Sequence, residues 1–268
     1  MISIRRLTIA AASFAIVSAL LVMMINAIGT IGSFGYSSSR TDAPSDVLLV
    51  GLDNRSSTDK GLPDSLTLIH LENRKITSIS REWTFSNLDK SRTLVSKYLG
   101  PIECEPFCNI QGLYAYSQLS SGVVKPNLRA LEVLRTVVET EYEIPSLAVV
   151  AFDLAWAKSF LNNLGGLQVD VKEPVFIGGN GQNGNPKDFR GTLALGRQTL
   201  SGDQLFWYVR SRFETSNNSR MARQRSLIAM IREQKSGFDF VTAAFNARGY
   251  LVSDLSLVEF FALTAKNY

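Results

Sequence analysis

The chain has little of the chemistry on which many enzymes depend. Its 268 residues include one histidine, His70, and two cysteines, Cys104 and Cys108. Mechanisms that need two histidines are therefore excluded, and a zinc site, which takes about four protein ligands, is not supported. His70 lies inside the apolar segment Leu66–Leu71, so we expect a structural role for it rather than a place in a Ser-His-Asp triad.

The sequence also has no Walker-type glycine loop followed by lysine, so nucleotide hydrolysis of that kind is not expected. The formal net charge is only +4. The basic excess is local to one stretch, whereas nucleic-acid binding usually requires more basic residues interleaved with exposed aromatic ones. We therefore predict no nucleic-acid partner and favour a smaller anionic ligand.

Charged residues are missing from a long N-terminal segment. Arg5 and Arg6 precede an uncharged run from Leu7 to beyond Gly29, which is long enough for the roughly 20 residues that span a bilayer. The flanking positive charge predicts a cytoplasmic N-terminus, and the lack of a convincing cleavage site predicts an uncleaved anchor. The predicted organisation is a cytoplasmic segment 1–6, a transmembrane signal anchor 7–30, a flexible linker 31–45 and one extracellular domain 46–268.

This placement in the cell membrane, with a single span and the domain outside, also bears on the cysteines. Cys104 and Cys108 form the sequence Cys-Glu-Pro-Phe-Cys. In an exported protein a local disulfide between them is the natural expectation.

Short apolar runs predict the first part of a sheet. The predicted strands are Val47–Leu52, Ser65–Leu71 and Lys75–Ser80. The tight connection between the second and third strands makes them antiparallel neighbours. If the first two strands are antiparallel as well, Asp53, Asp64 and Arg81 arrive at one edge of the sheet.

Helical and extended segments alternate along the rest of the chain. We predict helices from Pro126 to about Tyr142, from Asp153 to the Gly165-Gly166 pair, from Ser201 to about Tyr208, over Ser219–Lys235 and over Ser253–Lys266, with strands at Leu147–Phe152 and Leu167–Val171. Asn87–Gly122 is predicted to be irregular and Val175–Asp188 to be a surface loop. The alternation indicates an α/β fold, a three-layer α/β/α sandwich around a mixed central sheet.

Arginines are concentrated in one stretch, where only Glu214 opposes Arg210, Arg212, Arg220, Arg223 and Arg225. If Phe206–Arg212 is extended, Arg210 and Arg212 share a face, although the capping box at Ser201 competes with that interpretation. A helix from Ser219 places Arg220, Arg223 and Gln224 on one face. Guanidinium forks suit phosphate oxygens, so the cluster favours a ligand such as pyrophosphate; a solvated basic face is the alternative.

Several motifs follow one another in order: Val47–Arg55, Asp64-Ser65, Ser78–Arg81, Leu113–Tyr116, Asp153 before Leu164–Gly166, Tyr208–Arg212 and Arg220–Gln224. This ordered set resembles the LytR–CpsA–Psr family, from about residue 46 to near the C-terminus. The resemblance implies a membrane-anchored transferase of the Gram-positive envelope. Such enzymes move a glycopolymer from a polyprenyl-pyrophosphate carrier onto a peptidoglycan acceptor and form a phosphodiester bond.

By this resemblance Asp53 and Asp64 bind Mg²⁺, with Mn²⁺ as the alternative metal. The resemblance also implies a pyrophosphate grip by Arg81, Arg210, Arg212, Arg220 and Gln224, with Arg55 and Arg223 nearby. Asp53, Arg81, Arg210 and Arg212 would form the catalytic set. The polyprenyl chain is expected in an apolar tunnel whose candidate wall residues are Phe152, Trp156, Phe160, Phe206 and Trp207, although ordinary core packing would explain the same residues.

Four places depart from the family pattern. Leu62 stands where many relatives carry an arginine, Ser80-Arg81-Glu82 replaces Pro-Arg-Asp, Asn109-Ile110-Gln111 replaces Lys-Ile-Asn, and Asn217 replaces an aspartate. These changes at the edge of the site leave two other functions open. One is a polyprenyl-phosphate binding module with little or no catalysis, and the other is a lipid pyrophosphatase with water as the acceptor.

Overall fold

The structure, a computed structural model, describes residues 40–53, 61–84, 109–119, 128–178, 189–211 and 216–266. Its strands are β1 (Asp46–Asp53), β2 (Leu62–His70), β3 (Ile76–Ile79), β4 (Leu147–Asp153), β5 (Leu167–Val171), β6 (Val175–Gly178), β7 (Phe189–Leu193), β8 (Gly196–Leu200) and β9 (Leu251–Ser253). Its helices are α1 (Ile110–Leu119), α2 (Leu128–Tyr142), α3 (Leu154–Leu164), α4 (Gly202–Arg210), α5 (Asn217–Gln234), α6 (Gly237–Asn246) and α7 (Leu257–Lys266).

Some sequence predictions fall outside these ranges. They are the cytoplasmic segment, the anchor and residues 31–39 of the linker, together with Arg55, Cys104, Cys108 and Arg212. Among the helices of the described ranges, none has the length and apolar character needed to cross a bilayer.

A five-stranded mixed sheet lies at the centre of the fold, in the order β3-β2-β1-β4-β9. Strand β1 is antiparallel to β2 and parallel to β4, whereas β3 and β9 are antiparallel to β2 and β4 at the two edges. The mixed sheet and the antiparallel order of the first three strands confirm the sequence predictions. Two further antiparallel pairs, β5 with β8 and β6 with β7, lie outside this sheet.

The central sheet carries helices on both faces, because successive side chains of a strand point to opposite faces and β1 is apolar along most of its length. Leu48, Val50 and Leu52 of β1 face one way and form a buried core with α1 and α2. The opposite face of β1, which includes Leu49 and Gly51, lines a cavity under α3 to α7. The two faces therefore have different roles: one is covered by packed core side chains, and the other borders the cavity.

Three elements of the structure differ from the sequence predictions. Helix α1 lies inside the stretch predicted as irregular, and its first turn is capped by Asn109, whose Oδ1 accepts from the Gly112 amide at 2.7 Å. Strand β6 occupies the start of the predicted surface loop and pairs with β7. Helix α6 was not predicted at all.

The helix predicted over Ser253–Lys266 is also wrong in its first turn. Ser253 belongs to β9 and pairs with Val150 of the sheet. The helix begins only after Ser256, whose hydroxyl accepts from the Glu259 amide at 3.2 Å while the Glu259 carboxylate accepts from the Ser256 amide at 2.8 Å. This reciprocal pair of bonds is a capping box, and it fixes the start of α7.

The described part of the predicted linker is attached to the domain. Arg40 donates to both carboxylate oxygens of Glu259 in α7, at 2.8 and 3.1 Å. The Ser45 amide donates to the Ser146 carbonyl at 2.9 Å, in line with the β1–β4 pairing that follows. Residues 40–45 are therefore attached to the domain, which corrects the prediction of a flexible linker for these residues.

Candidate functional site

Asp64 is the centre of a charge cluster at one edge of the central sheet. One of its carboxylate oxygens accepts from Arg81 Nη1, and the other accepts from Arg220 Nη1 at 3.0 Å. A second nitrogen of Arg220 donates to the Asp64 carbonyl at 3.1 Å. The three residues come from β2, from the turn after β3 and from α5, so distant parts of the chain meet here as the strand order predicts.

Asp53 lies beside this cluster at the end of β1, across from Leu62 of β2. Its carboxylate Oδ1 is 3.7 Å from Arg210 Nη2. The Arg210 guanidinium also lies 5.8 Å from the centre of the Phe206 ring and 5.6 Å from that of Trp207, within the range of cation–π attraction. Leu62, where many relatives carry arginine, therefore stands next to Asp53 and adds no charge.

Arg210 reaches this position from a helix and not from a strand. The capping box of Ser201 and Gln204 opens α4, which continues to Arg210. The extended interpretation of Phe206–Arg212 is therefore wrong for the described residues up to Arg210. Because Phe206 and Arg210 are four residues apart on a helix, they share a face, and this spacing produces the cation–π contact.

Arg223 is directed away from the cluster. Its Nε donates to the Tyr208 carbonyl at 2.6 Å, and its two terminal nitrogens donate to the Ser211 carbonyl and to Glu173. The side chain is 5% exposed, and its donors are directed at protein acceptors. In the described residues Arg223 thus supports the end of α4, whereas the sequence placed it near the pyrophosphate.

Two amide side chains complete the arrangement. Gln224 accepts from the Ser65 hydroxyl at 3.0 Å and donates to the Val209 carbonyl at 3.3 Å, so it joins β2 to α4. Asn217 accepts from Arg220 Nη2 at 2.9 Å. The loss of acidity at Asn217 therefore does not remove the orienting partner of Arg220, because an amide oxygen accepts the same hydrogen bond.

The exposure of the arginines separates two groups. Arg220 is 4% exposed and held by Asp64 and Asn217. Arg81 and Arg210 have side chains that are 22% and 26% exposed. The second pair is the more accessible to a ligand, while Arg220 lies beneath it as fixed positive charge.

A cavity of about 370 Å³ begins at this cluster and continues between the central sheet and α3 to α7. Asp53, Asp64, Arg210 and Arg220 lie at one end. Of the predicted tunnel residues, Phe152, Trp156, Phe160 and Phe206 line the cavity. Trp207 is not among the residues that line it and instead packs in the core between the sheet and the helices.

The polarity of the cavity wall changes along its length. On α5 the lining side chains are Arg220, Gln224, Leu227, Ile228, Ile231 and Arg232, and those from Arg220 to Ile231 are spaced to lie on one face of the helix. The lining residues of β1 run in the same sense, from Asp53 through Gly51 and Leu49 to Val47. Six residue steps along a strand correspond to roughly 20 Å. The site therefore combines a charged end at Asp53 and Asp64 with a long apolar body, and His70, Arg74 and Arg232 line its far end.

Several residues of this cavity wall are not among those predicted from the sequence. The apolar side chains of α5 were identifiable in principle, because Leu227, Ile228 and Ile231 continue the four-residue spacing from Arg220 and Gln224. The contributions of Phe240 and Phe260 were not, since α6 was missed and the start of α7 was misplaced.

The protonation state of Tyr208, beside Arg210 in the sequence motif, is set by its burial. Burial raises the pKa of the Tyr208 phenol, with the nearby Arg223 charge acting in the opposite direction. Tyr208 thus remains neutral and packs in the core, so the motif around Arg210 contributes its arginine rather than its tyrosine to the charged end.

A metal ion at this end would depend on two carboxylates. Within the described ranges no group of three or more histidine, cysteine or acidic side chains could hold a metal. Mg²⁺ usually takes one or two protein carboxylates together with phosphate oxygens and water, so Asp53 and Asp64 on adjacent strands fit it. Both carboxylates lie beside guanidinium groups, Asp64 beside Arg81 and Arg220 and Asp53 beside Arg210, so a bound metal would share them with these arginines.

Comparison with known proteins identifies the family. The sequence matches the model of the LytR_cpsA_psr family over residues 31–257. The chain belongs to this family. Among the curated proteins, none matches the chain by sequence.

Solved structures share the LytR_cpsA_psr fold. The putative transcriptional regulator ywtF of Bacillus subtilis is 21% identical with a TM-score of 0.54, over 86% of this chain and 76% of that one. Protein gbs0355 of Streptococcus agalactiae is 18% identical with a TM-score of 0.57, over 84% and 73%. The Bacillus subtilis protein TagT, solved with bound octaprenyl pyrophosphate lipid, is 18% identical with a TM-score of 0.53, over 86% and 81%.

Proposed function

We propose that the protein is a phosphotransferase that moves a glycopolymer from a polyprenyl-pyrophosphate carrier to peptidoglycan and forms a phosphodiester bond. The observation that supports this most is the change in polarity along the cavity. An arginine-rich end suits a pyrophosphate, and the apolar body suits a prenyl chain. The family and a relative solved with octaprenyl pyrophosphate agree with this ligand chemistry.

In the proposed reaction a hydroxyl group of the acceptor attacks the phosphorus that carries the glycopolymer. A new phosphorus–oxygen bond forms, the bridging bond to the second phosphate breaks, and polyprenyl phosphate leaves. Negative charge develops on the phosphate oxygens, and Arg81 and Arg210 are placed to stabilise it. Arg220, buried under Asp64, keeps the local potential positive. Arg212 and Arg55 are assigned to the same grip by family resemblance alone.

Mg²⁺ is proposed as the cofactor, with Mn²⁺ as the alternative. When bound it would neutralise phosphate charge and polarise the reacting phosphoryl group. Asp53 and Asp64 would supply the protein ligands. The proposed location is the cell membrane, with the anchor at 7–30 and the domain outside.

The decisive experiment measures transfer of the glycopolymer from the lipid carrier to peptidoglycan. Purified full-length protein is incubated with Mg²⁺, labelled polyprenyl-pyrophosphate glycopolymer and peptidoglycan, and transfer of label to the insoluble glycan is measured. We expect Arg81→Ala and Arg210→Ala to reduce transfer by at least a hundredfold, since removal of one transition-state charge contact costs about 3 kcal/mol. Arg197→Ala, which removes an exposed arginine of β8, serves as the matched control and should transfer normally. Normal transfer by both site variants would refute the proposal.

Product analysis separates the two other functions. A lipid pyrophosphatase would release free phosphorylated polymer and leave the glycan unlabelled. A binding module would retain the lipid without turnover under any combination of metal and acceptor. The uncharged Leu62 beside Asp53 is the observation that keeps this last possibility worth measuring.

A further inference from the structure

The described surface carries one concentrated group of exposed apolar side chains. Six large apolar residues are exposed, and three of them, Phe238, Val258 and Phe261, lie on α6 and α7. The other three, Leu62, Leu128 and Leu195, lie on separate elements. Single exposed apolar residues are ordinary on protein surfaces, whereas grouped ones indicate contact with something apolar.

The three residues lie on adjoining faces. Phe238 and Phe245 are seven residues apart on α6 and so share one side of that helix. The Phe245 ring stacks on that of Phe261, with centroids 5.9 Å apart and planes inclined by 27°. We call the surface formed by Phe238, Val258 and Phe261, joined through Phe245, the aromatic patch.

The point at which the chain enters the domain lies beside this patch. Arg40 is hydrogen-bonded to Glu259, which follows Val258 directly. Residues 31–39 connect Arg40 to the predicted anchor at 7–30, and this connection reaches at most ~35 Å even when fully extended. The patch is therefore confined to the neighbourhood of the bilayer if the anchor is in place.

We propose that the aromatic patch docks on the lipid bilayer beside the anchor. This inference rests on the proposed function and on the proposed anchor. The same helix that exposes Val258 and Phe261 lines the cavity with Phe260 and Leu263. Docking would thus bring the wall of the prenyl cavity to the surface of the membrane in which the carrier lipid resides, and apolar rings on a surface helix are suited to the boundary between headgroups and acyl chains.

Fluorescence quenching by lipids tests the docking. The full-length protein is reconstituted into phospholipid vesicles with or without brominated acyl chains, as Phe261→Trp or as Val258→Trp. The three native tryptophans provide the background, which the wild-type protein measures. We expect brominated lipid to lower the emission of both variants more than that of the wild type. Leu195→Trp, an exposed apolar position 64% accessible in the β7–β8 turn, is the control and should behave as the wild type.

The outcomes distinguish the two proposals. Docking would be refuted if brominated lipid quenched neither α7 variant more than the wild type. It would also be refuted if Leu195→Trp were quenched as strongly as the α7 variants. Quenching does not depend on turnover. Normal polymer transfer without quenching would remove the docking proposal alone, and quenching without transfer to glycan would remove the proposed function alone.

Discussion

Asp64 illustrates how single residues set the state of the site before any ligand arrives. Its carboxylate accepts from Arg81 and Arg220, the guanidinium groups that an anionic ligand would need. Asn217 holds a further nitrogen of Arg220. The arginines are therefore oriented by a carboxylate that repels the ligand they are meant to attract, and a metal shared by Asp53 and Asp64 would relieve that repulsion.

The first prediction follows from this competition. Asp64→Asn should raise the affinity for inorganic pyrophosphate in the absence of metal by roughly tenfold, since a charge at about 5 Å near a protein surface contributes on the order of 1–3 kcal/mol. With Mg²⁺ present the same variant should bind pyrophosphate more weakly than the wild type. Isothermal titration calorimetry with and without the metal measures both. An affinity that falls equally in both conditions would mean that Asp64 acts mainly by holding the arginines in position.

At the scale of elements, α5 has two separate functions. One face presents Arg220 and Gln224 to the charged end of the cavity. Arg223, on another side, donates to the Tyr208 and Ser211 carbonyls at the end of α4. The last carbonyls of a helix have no partner within the helix, so Arg223 satisfies them and keeps Arg210 in place.

We therefore expect Arg223→Ala to act through stability. Its removal leaves buried carbonyls without donors and Glu173 without its cation, which should lower the free energy of unfolding by about 3 kcal/mol. Arg225→Ala is the matched control on the same helix. The Arg225 side chain donates to the Ser78 hydroxyl at 3.0 Å, and its loss should cost no more than about 1 kcal/mol. Urea unfolding measures both. A stable Arg223→Ala with impaired pyrophosphate binding would instead place Arg223 at the ligand.

The attachment of Arg40 to α7 makes stability depend on pH. The hydrogen bond from Arg40 lowers the pKa of the Glu259 carboxyl from 4.5 to about 2, although burial acts in the opposite direction. Because the folded-state pKa lies below the unfolded value, the stabilisation is complete above about pH 4.5 and is lost as the pH falls towards about 2. Burial raises the pKa of the neighbouring Asp254, which has the opposite effect on stability as the pH falls.

Comparison with Glu259→Gln isolates this effect, since Asp254 is present in both proteins. The wild type should be the more stable at neutral pH, and the difference in unfolding free energy should shrink as the pH drops from about 4.5 towards about 2. Glu233→Gln, at an exposed position of α5, is the control. A difference that stays constant over this range would show that Arg40 and Glu259 are not coupled in the folded protein.

At the scale of the whole molecule, the two faces of the central sheet differ: one packs against a filled core and the other borders the cavity. Leu48, Val50 and Leu52 are fully packed against α1 and α2. On the opposite face, helices α3 to α7 and the sheet enclose the cavity of about 370 Å³. A void of this size forgoes packing that a solid core would provide, so a bound apolar ligand should stabilise the protein.

Ala157 offers a way to close this space. It lines the cavity from α3, whereas Ala155 of the same helix is exposed. We expect polyprenyl phosphate to copurify with the full-length wild-type protein and Ala157→Trp to reduce its amount, as measured by extraction and mass spectrometry, while the protein remains folded. Ala155→Trp should retain the lipid. Equal lipid content in the two variants would show that the prenyl chain lies elsewhere.

The sequence by itself determined the local features. Short apolar runs identified β1, β2 and β4, a capping box identified the start of α4, and Asp153 with Gly165 bounded α3. The antiparallel order of the first strands placed Asp53, Asp64 and Arg81 at one edge, as the structure confirms. These features depend on neighbouring residues in the chain, so a single sequence contains them.

Two features were decided only by the tertiary structure. One is which arginines are accessible to a ligand, and the other is the cavity between one face of the sheet and the helices. Arg220 and Arg223 lie on one helix three residues apart, yet one contacts Asp64 and the other the end of α4. Which neighbour a side chain meets depends on how helices cross the sheet and each other, and helical periodicity does not encode that crossing. The cavity likewise arises between elements far apart in the chain, where no local pattern distinguishes a wall residue from a core residue.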